Sequence, residues 1–376
     1  MITAVRHLGP NWYASVMGTA VLATAGAALP LPGPPPGLRT VCAAVWALSL
    51  LMLVTLLAAR ALHWRHHRDQ ARAHLLDPAT APFYGCLAMA LLAVGGGAVA
   101  VGRDLIGTPA AVALDAVLFT AGTAVGVAAA VAVPYLMAVH HRVRSDQASP
   151  VWLLPLVAPM VSAALGPLLV PHLPPGQPRG TLLLGCVALF GLSLLATLLM
   201  LPLVFARLLT GGPLPLALTP TLFLVLGPLG QSTTAAGNFA DVARGTVPGA
   251  GSAAFSAFAV LYGVPVMGFA LLWLCLAGAH VLRARRLGMR FTLTWWAFTF
   301  PVGTCVTGAE SLALHTGLAV LDALAIVLYG VLLAAWGAAA LGTARGLLSG
   351  ALPAAPPPAP AAPRPVRVRT TSGAAR

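Results

Sequence analysis

The sequence predicts an all-α integral membrane protein: ten transmembrane helices, arranged as five hairpins around a central pore. Three observations lead there. Of 376 residues, 59% are hydrophobic and 8% are charged, where a soluble domain carries roughly 25% charged residues. The apolar residues gather in ten runs, each near the roughly 20 residues that a helix needs to cross the hydrocarbon core. The runs are continuous and lack the alternation over about 10 residues that marks barrel strands. A bilayer accepts only helices or closed barrels, so the runs are helices.

In chain order the runs cover residues 11–29, 39–59, 83–101, 110–139, 151–170, 180–205, 220–239, 252–280, 292–314 and 317–344. The first follows Arg6 and His7 and carries small residues at Ala25–Ala28, features of a cleavable leader. Asn11, Trp12 and Tyr13 open it, however, and nine further runs follow, so it reads as a span. Residues 1–345 form the transmembrane domain. Residues 346–376, rich in Pro, Ala and Arg, form a disordered cytoplasmic tail, because such a composition buries no core.

All 21 basic residues are arginine, and with 8 acidic residues they give a formal net charge of +13. The absence of lysine excludes a phosphate-binding loop of the G-x-x-x-x-G-K-[ST] kind and any lysine Schiff base. With the N-terminus inside, 17 arginines fall on cytoplasmic segments and 4 (Arg39, Arg103, Arg179 and Arg244) outside. That bias sets the orientation and places both termini in the cytoplasm. The arginines sit in short tracts between apolar runs, so they report topology rather than nucleic-acid binding.

Cys42, Cys86, Cys186, Cys275 and Cys305 all lie in apolar runs without CxxC spacing and read as buried small hydrophobes. His63, His66, His67 and His74, and then His140 and His141, are interleaved with arginines and have no cysteine or adjacent carboxylate set. The cluster reads as a basic cytoplasmic loop rather than a metal centre. No metal, cofactor or catalytic residue is expected. An enzyme would need a cluster of acids, bases or nucleophiles at membrane depth, and only Glu310 and His315 come near one.

Odd and even runs differ. Odd runs open with an aromatic and then meet small or helix-breaking residues: NWYASVMGT, FYGCLAMALLAVGGG, VWLLPLVAPMVSAALGP, TLFLVLGPLGQSTTAAGN and WWAFTFPVGTCVTG. Even runs are plain Ala, Leu and Val, with Pro134 and Pro265 as exceptions. A broken helix is tolerated at membrane depth where the break faces protein or a water-filled cavity. The odd runs, kinked at Gly18, Gly95–Gly97, Pro155, Pro159, Pro228 and Pro301, are therefore expected to surround the pore, with the even runs facing lipid. Close packing by small residues is the competing account of the glycines.

Uncharged polar residues concentrate on the odd runs. Gly18, Thr19, Gly95, Gly96, Pro159, Ser162, Gly230, Gln231, Ser232, Pro301 and Thr304 are the expected pore-lining set. Hydroxyls, amides and freed backbone N–H groups suit an anion, and arginines at the inner mouth raise its local concentration. A cation path would show an acidic ring, and none is visible in the sequence. Glu310, the only glutamate, is expected in an ion pair near the outer mouth, with Arg244 or Arg179. Asp115 and Asp322 are expected at span ends, in interfacial or capping roles.

The stretches PNWYASVMGT, LGPLGQSTTAAGN and WWAFTFPVGT, with the ten-span hairpin plan, resemble the tellurite-resistance/dicarboxylate transporter family over about residues 8–345. That family includes TehA, the fungal malate and sulfite transporters and the plant slow-type anion channels. The resemblance implies a five-fold pseudo-symmetric bundle around an anion pore, in a homotrimer, with a ninth-helix phenylalanine plugging the pore. The matching residue is Phe300 or Phe298. Two residues apart, they point about 200° from each other, so spacing does not choose; Phe300 is preferred because it precedes Pro301. Both also fit as core-filling aromatics. The long kinase-regulated ends of the plant channels have no counterpart here. The function expected is transport of small anions across the plasma membrane, four-carbon dicarboxylates such as malate first. Efflux of sulfite, tellurite or another oxyanion is the alternative, and a non-transporting scaffold the alternative of another class.

Overall fold

The computed structural model describes residues 8–141, 143, 145–350 and 352. Most of the expected tail, 346–376, lies outside them, as do Arg6, Arg142 and Arg144. Ten helices follow in order: α1 Tyr13–Ala28, α2 Leu38–His66, α3 Ala81–Ile106, α4 Thr108–His141, α5 Pro150–His172, α6 Gln177–Gly211, α7 Leu226–Ala243, α8 Ala250–Arg286, α9 Phe300–Thr316 and α10 Ala319–Leu348. A shorter helix, Arg68–Leu76, lies between α2 and α3. Each apolar run falls on one of the ten, and no strand occurs among the described residues.

Seven of these, α2, α3, α4, α5, α6, α8 and α10, are long and apolar enough to cross a membrane. The expected count of ten is not reached by that measure. Helices α1 and α9 have 16 and 17 residues, and α7 carries Gln231, Ser232, Thr233, Thr234 and Asn238. Length sets α1 and α9 apart and polarity sets α7 apart. In their most apolar windows α3 and α5 are 89% buried, whereas α2, α4, α6, α8 and α10 are 22–28% buried. Helices α1, α7 and α9 are also buried along most of their length.

The odd helices close a ring. Helix α1 packs on α3, α3 on α5, α5 on α7, α7 on α9, and α9 returns to α1. Each even helix packs on the odd helix before it and forms the outer layer. That layer turns Leu51, Val117, Leu199, Leu261 and Val327 outward, all more than 60% exposed, as a lipid-facing surface requires.

The five hairpins share two local devices. Each inner helix opens through a 3₁₀ segment: Pro10–Trp12, Ala81–Phe83, Pro150–Trp152, Leu216–Val225 and Leu293–Phe298. Each outer helix starts just after a glycine at positive φ: Gly37, Gly107, Gly176, Gly249 and Gly317. Proline alone does not separate the layers, because Pro134, Pro202 and Pro265 lie inside outer helices. Helix α1 runs unbroken through Gly18. A Cβ there would lie 2.1 Å from Thr299 Oγ1, so this glycine permits close packing of α1 on the start of α9 rather than a kink.

Carbonyls along the irregular inner helices find donors on the outer layer, as a membrane interior demands. Trp46 Nε1 donates to Val94 O at 3.0 Å, Trp273 Nε1 to Leu222 O at 2.9 Å, and Ser193 Oγ to Leu156 O at 2.6 Å. Two further expectations are corrected. Cys275 is exposed on the outer face of α8, while the other four cysteines are buried. Helix α2 continues past residue 59 to His66, so His63 is buried on a helix, its ring stacked on His74 at 5.5 Å.

Candidate functional site

A cavity of about 440 Å³ opens at the end of the ring where the inner helices finish. All five inner helices line it: Val21 and Thr24 of α1, Gly96 and Ala100 of α3, Leu165 of α5, Gln231 and Asn238 of α7, Phe300 and Thr307 of α9. Pro30, just past α1, and Asp322, in the first turn of α10, also line it. Phe300, 4% exposed, is the first residue of α9 and lies at its deep end. A second cavity, about 20 Å³, lies where the inner helices begin, among Asn11, Met17, Cys86, Leu154, Leu224 and Ala297. Its volume is enough for about one water molecule. From the helical rise, roughly 5–16 Å of packed side chains separates the two along each wall.

The polar wall of the larger cavity is built by hydrogen bonds between inner helices. Thr234 and Thr307 hydroxyls meet at 2.8 Å, joining α7 to α9. Asn238 Nδ2 donates to Ala164 O at 2.7 Å, joining α7 to α5. The helices can approach because glycines face them. A Cβ on Gly230 would lie 2.4 Å from the Thr304 carbonyl carbon, and one on Gly237 1.8 Å from Ser311 Oγ.

The expected pore-lining residues divide. Gly96 and Gln231 line the cavity, with Phe300. Thr19 accepts from Trp336 Nε1 of α10 at 3.0 Å. Ser162 accepts from Thr123 of α4 at 2.9 Å. Both therefore face the outer layer. Ser232 Oγ donates to Leu229 O of its own helix at 3.0 Å. Thr304 Oγ1 donates to Pro301 O at 2.7 Å, and a Cβ on Gly95 would meet Asp115 Oδ1 at 2.6 Å. Gly18, Gly95, Pro159, Gly230, Pro301 and Thr304 lie in helix packing, away from the cavity. Phe298 is set apart from Phe300. It ends the 3₁₀ segment, its ring meeting Phe223 at 4.9 Å and Trp295 at 5.9 Å.

The ionisable groups depart most from expectation. Asp241, Glu310 and Asp322 all line the cavity. This end of the ring is therefore acidic, where the sequence showed no acidic ring: Glu310 and Asp322 belong to the last hairpin, and the packing of α7 on α9 brings Asp241 to the same cavity. Glu310 forms no ion pair among the described residues, and its Oε1 is buried without a hydrogen-bond partner. Arg179 turns instead to the carbonyls of Leu173 and Pro171, at 2.9 and 3.1 Å. The pairs that form at this end are Arg39 with Asp104, and His315 with Asp241 at 3.4 Å. Asp115 is not interfacial but 2% exposed, packed between α4 and α3, and its Oδ2 has no hydrogen-bond partner. No arginine lines the cavity. Ten of the fourteen described arginines gather at the opposite end: Arg60, Arg65, Arg68, Arg72, Arg207, Arg283, Arg285, Arg286, Arg290 and Arg345, near or just beyond the last turns of outer helices or on the short helix.

Comparison with known proteins identifies the family. An uncharacterized transporter of Methanocaldococcus jannaschii is 25% identical over 347 residues, covering 92% of this chain and 95% of its own. The sulfite efflux pump SSU1 of Arthroderma otae is 26% identical over 339 residues, 89% of each chain. That of Trichophyton rubrum is 27% identical over 315 residues, 82% of each. Residues 7–344 match the family model described as SLAC1, voltage-dependent anion channel. A chain of five helical hairpins, its inner helices closed on a polar cavity and matched over nearly its whole length, belongs to the SLAC1/TDT family of anion transporters.

Proposed function

We propose that this protein moves small oxyanions outward across the plasma membrane through the centre of the inner ring, sulfite first, with the Phe300 ring as the gate. The observation that carries this reading is the cavity bounded by all five inner helices and ending at Phe300. The fungal relatives named as sulfite efflux pumps support the choice of ion.

The charge distribution supplies the mechanism. Arginines at the inner end raise the local anion concentration. The anion then passes the narrow packed segment, which requires the Phe300 ring to swing aside. Beyond it, Gln231, Thr234, Asn238 and Thr307 offer hydroxyl and amide donors in place of water. Conduction also needs binding weak enough for release, and Asp241, Glu310 and Asp322 loosen the anion at the outer mouth. Net direction comes from the anion gradient, the membrane potential or coupled protons.

In this reading all ten helices span the bilayer, with the arginine-rich end and both termini in the cytoplasm. Three copies assemble as a homotrimer, each with its own path. A second reading, transport of four-carbon dicarboxylates such as malate, is favoured by the cavity's size, which exceeds that of a small organic dianion. Proteoliposomes loaded with sulfite or with malate separate the two. Sulfite efflux faster than malate efflux supports the first reading, and malate efflux alone replaces it with the second. Flux of neither, nor of tellurite, nitrate or chloride, leaves a non-transporting scaffold.

A further inference from the structure

We infer that a groove between α1, α2 and α3, at the arginine-rich end, binds one anionic glycerophospholipid. The inference rests on the bilayer placement above but not on the ion transported.

The first observation is Arg60. It is 6% exposed near the end of α2. Nη1 donates to Leu8 O at 2.6 Å and Nη2 to Tyr84 OH at 3.2 Å, and the guanidinium lies 5.8 Å from the centre of the Tyr84 ring. All these partners are neutral, and no carboxylate pairs with Arg60 among the described residues. A buried charge is normally matched by an opposite one. No described residue supplies one here, and the groove leaves room for an external anion to do so.

The second observation is the space beside it. Arg60 opens on a groove of about 220 Å³ walled by Tyr13, Leu57, Trp64 and Leu87. Leu57 and Trp64 are 36% and 38% exposed on the outer side, so the groove communicates with the lipid phase. Trp64 is also a wall of an adjoining hollow formed with Arg65, Arg68 and Arg72. An apolar groove that holds Arg60 and a hollow that holds three further arginines thus share one tryptophan wall. An apolar groove beside basic groups matches an acyl chain joined to a phosphate carrying net negative charge. Basic pockets between helices on the cytoplasmic side recognise anionic headgroups in this way. A zwitterionic lipid brings its own cation and gains little from four guanidinium groups.

The test uses the purified full chain and native mass spectrometry, with phosphatidylglycerol or phosphatidylcholine at equal concentration. Thermal melting is read in parallel. The expected result is a one-lipid adduct with phosphatidylglycerol, a raised melting temperature, and neither effect with phosphatidylcholine. Replacing exposed Arg65, Arg68 and Arg72 by Gln should weaken retention about fivefold per arginine and leave the lipid-free melting temperature unchanged. Arg60→Lys should retain more lipid than Arg60→Gln. Equal retention of the two lipids overturns the proposal, as does full retention in the triple Gln variant. The same melting shift with inorganic phosphate overturns it in favour of a free-anion site. Loss of the adduct only when the chain is oligomeric overturns it in favour of an interface between copies.

Discussion

The ring of Phe298 meets the ring of Phe223 edge to face, with 4.9 Å between centroids. This contact ties the opening turns of α7 and α9 together, and it leaves Phe300, not Phe298, on the wall of the cavity. Phe300→Ala should therefore raise anion conductance. Moving the ring about 30° off its rotamer costs about 0.5–1.5 kcal/mol, so removing it should give up to about tenfold. Phe298→Ala should lower the melting temperature, through loss of ring pairs worth about 0.5–1.5 kcal/mol each. Single-channel or flux recordings of both variants distinguish the roles. A larger conductance gain in Phe298→Ala would reverse the assignment.

Gly230 lies against the backbone of Thr304, and no side-chain rearrangement relieves that contact. Gly230→Ala should destabilise the α7–α9 pair by about 1–3 kcal/mol, the usual cost of overpacking. Gly185 on α6 meets nothing within 4 Å, so Gly185→Ala should be neutral or slightly stabilising. Thermal unfolding in detergent checks both. Equal melting temperatures would mean that the inner ring tolerates separation at this point.

The acidic vestibule makes a signed prediction. Asp241 and Asp322 share the cavity with Glu310, and His315 faces Asp241 at 3.4 Å. Negative charge there slows an anion entering from outside. Glu310→Gln should raise inward anion flux by about twofold to fivefold at an external pH high enough to ionise this buried, unpaired carboxyl, the effect of one charge several ångströms away. Lowering external pH protonates carboxylates, so it should raise inward flux through the unaltered protein more than through Glu310→Gln. Flux measured against external pH tests this. An identical pH response in both proteins would remove Glu310 from the path.

Trp273 donates to Leu222 O from the outer layer. Trp273→Phe keeps most of the ring and removes the donor. A buried carbonyl left unsatisfied costs about 1–3 kcal/mol, so the variant should melt at a lower temperature. A melting curve unchanged from the parent would mean that another donor reaches this carbonyl.

The layered plan was legible because burial on all sides and lipid exposure on one side select different residues. Small residues and opening aromatics marked α1, α3, α5, α7 and α9, while Ala, Leu and Val marked the rest. The individual lining residues were not legible. Thr19, Ser162 and Gln231 all lie on inner helices, yet the first two serve donors on the outer layer and only Gln231 reaches the cavity. A helix buried on every face has no polar stripe to give its orientation. The acidic mouth was missed for a different reason. Asp241, Glu310 and Asp322 are unremarkable in sequence, and their common position near the outer ends of adjacent runs was the available signal.

Anion flux through proteoliposomes holding the unaltered protein or Phe300→Ala tests the central claim most directly. The account predicts anion-selective flux that includes sulfite, increased by the substitution. Cation-selective current, or no anion flux from either protein, would contradict it.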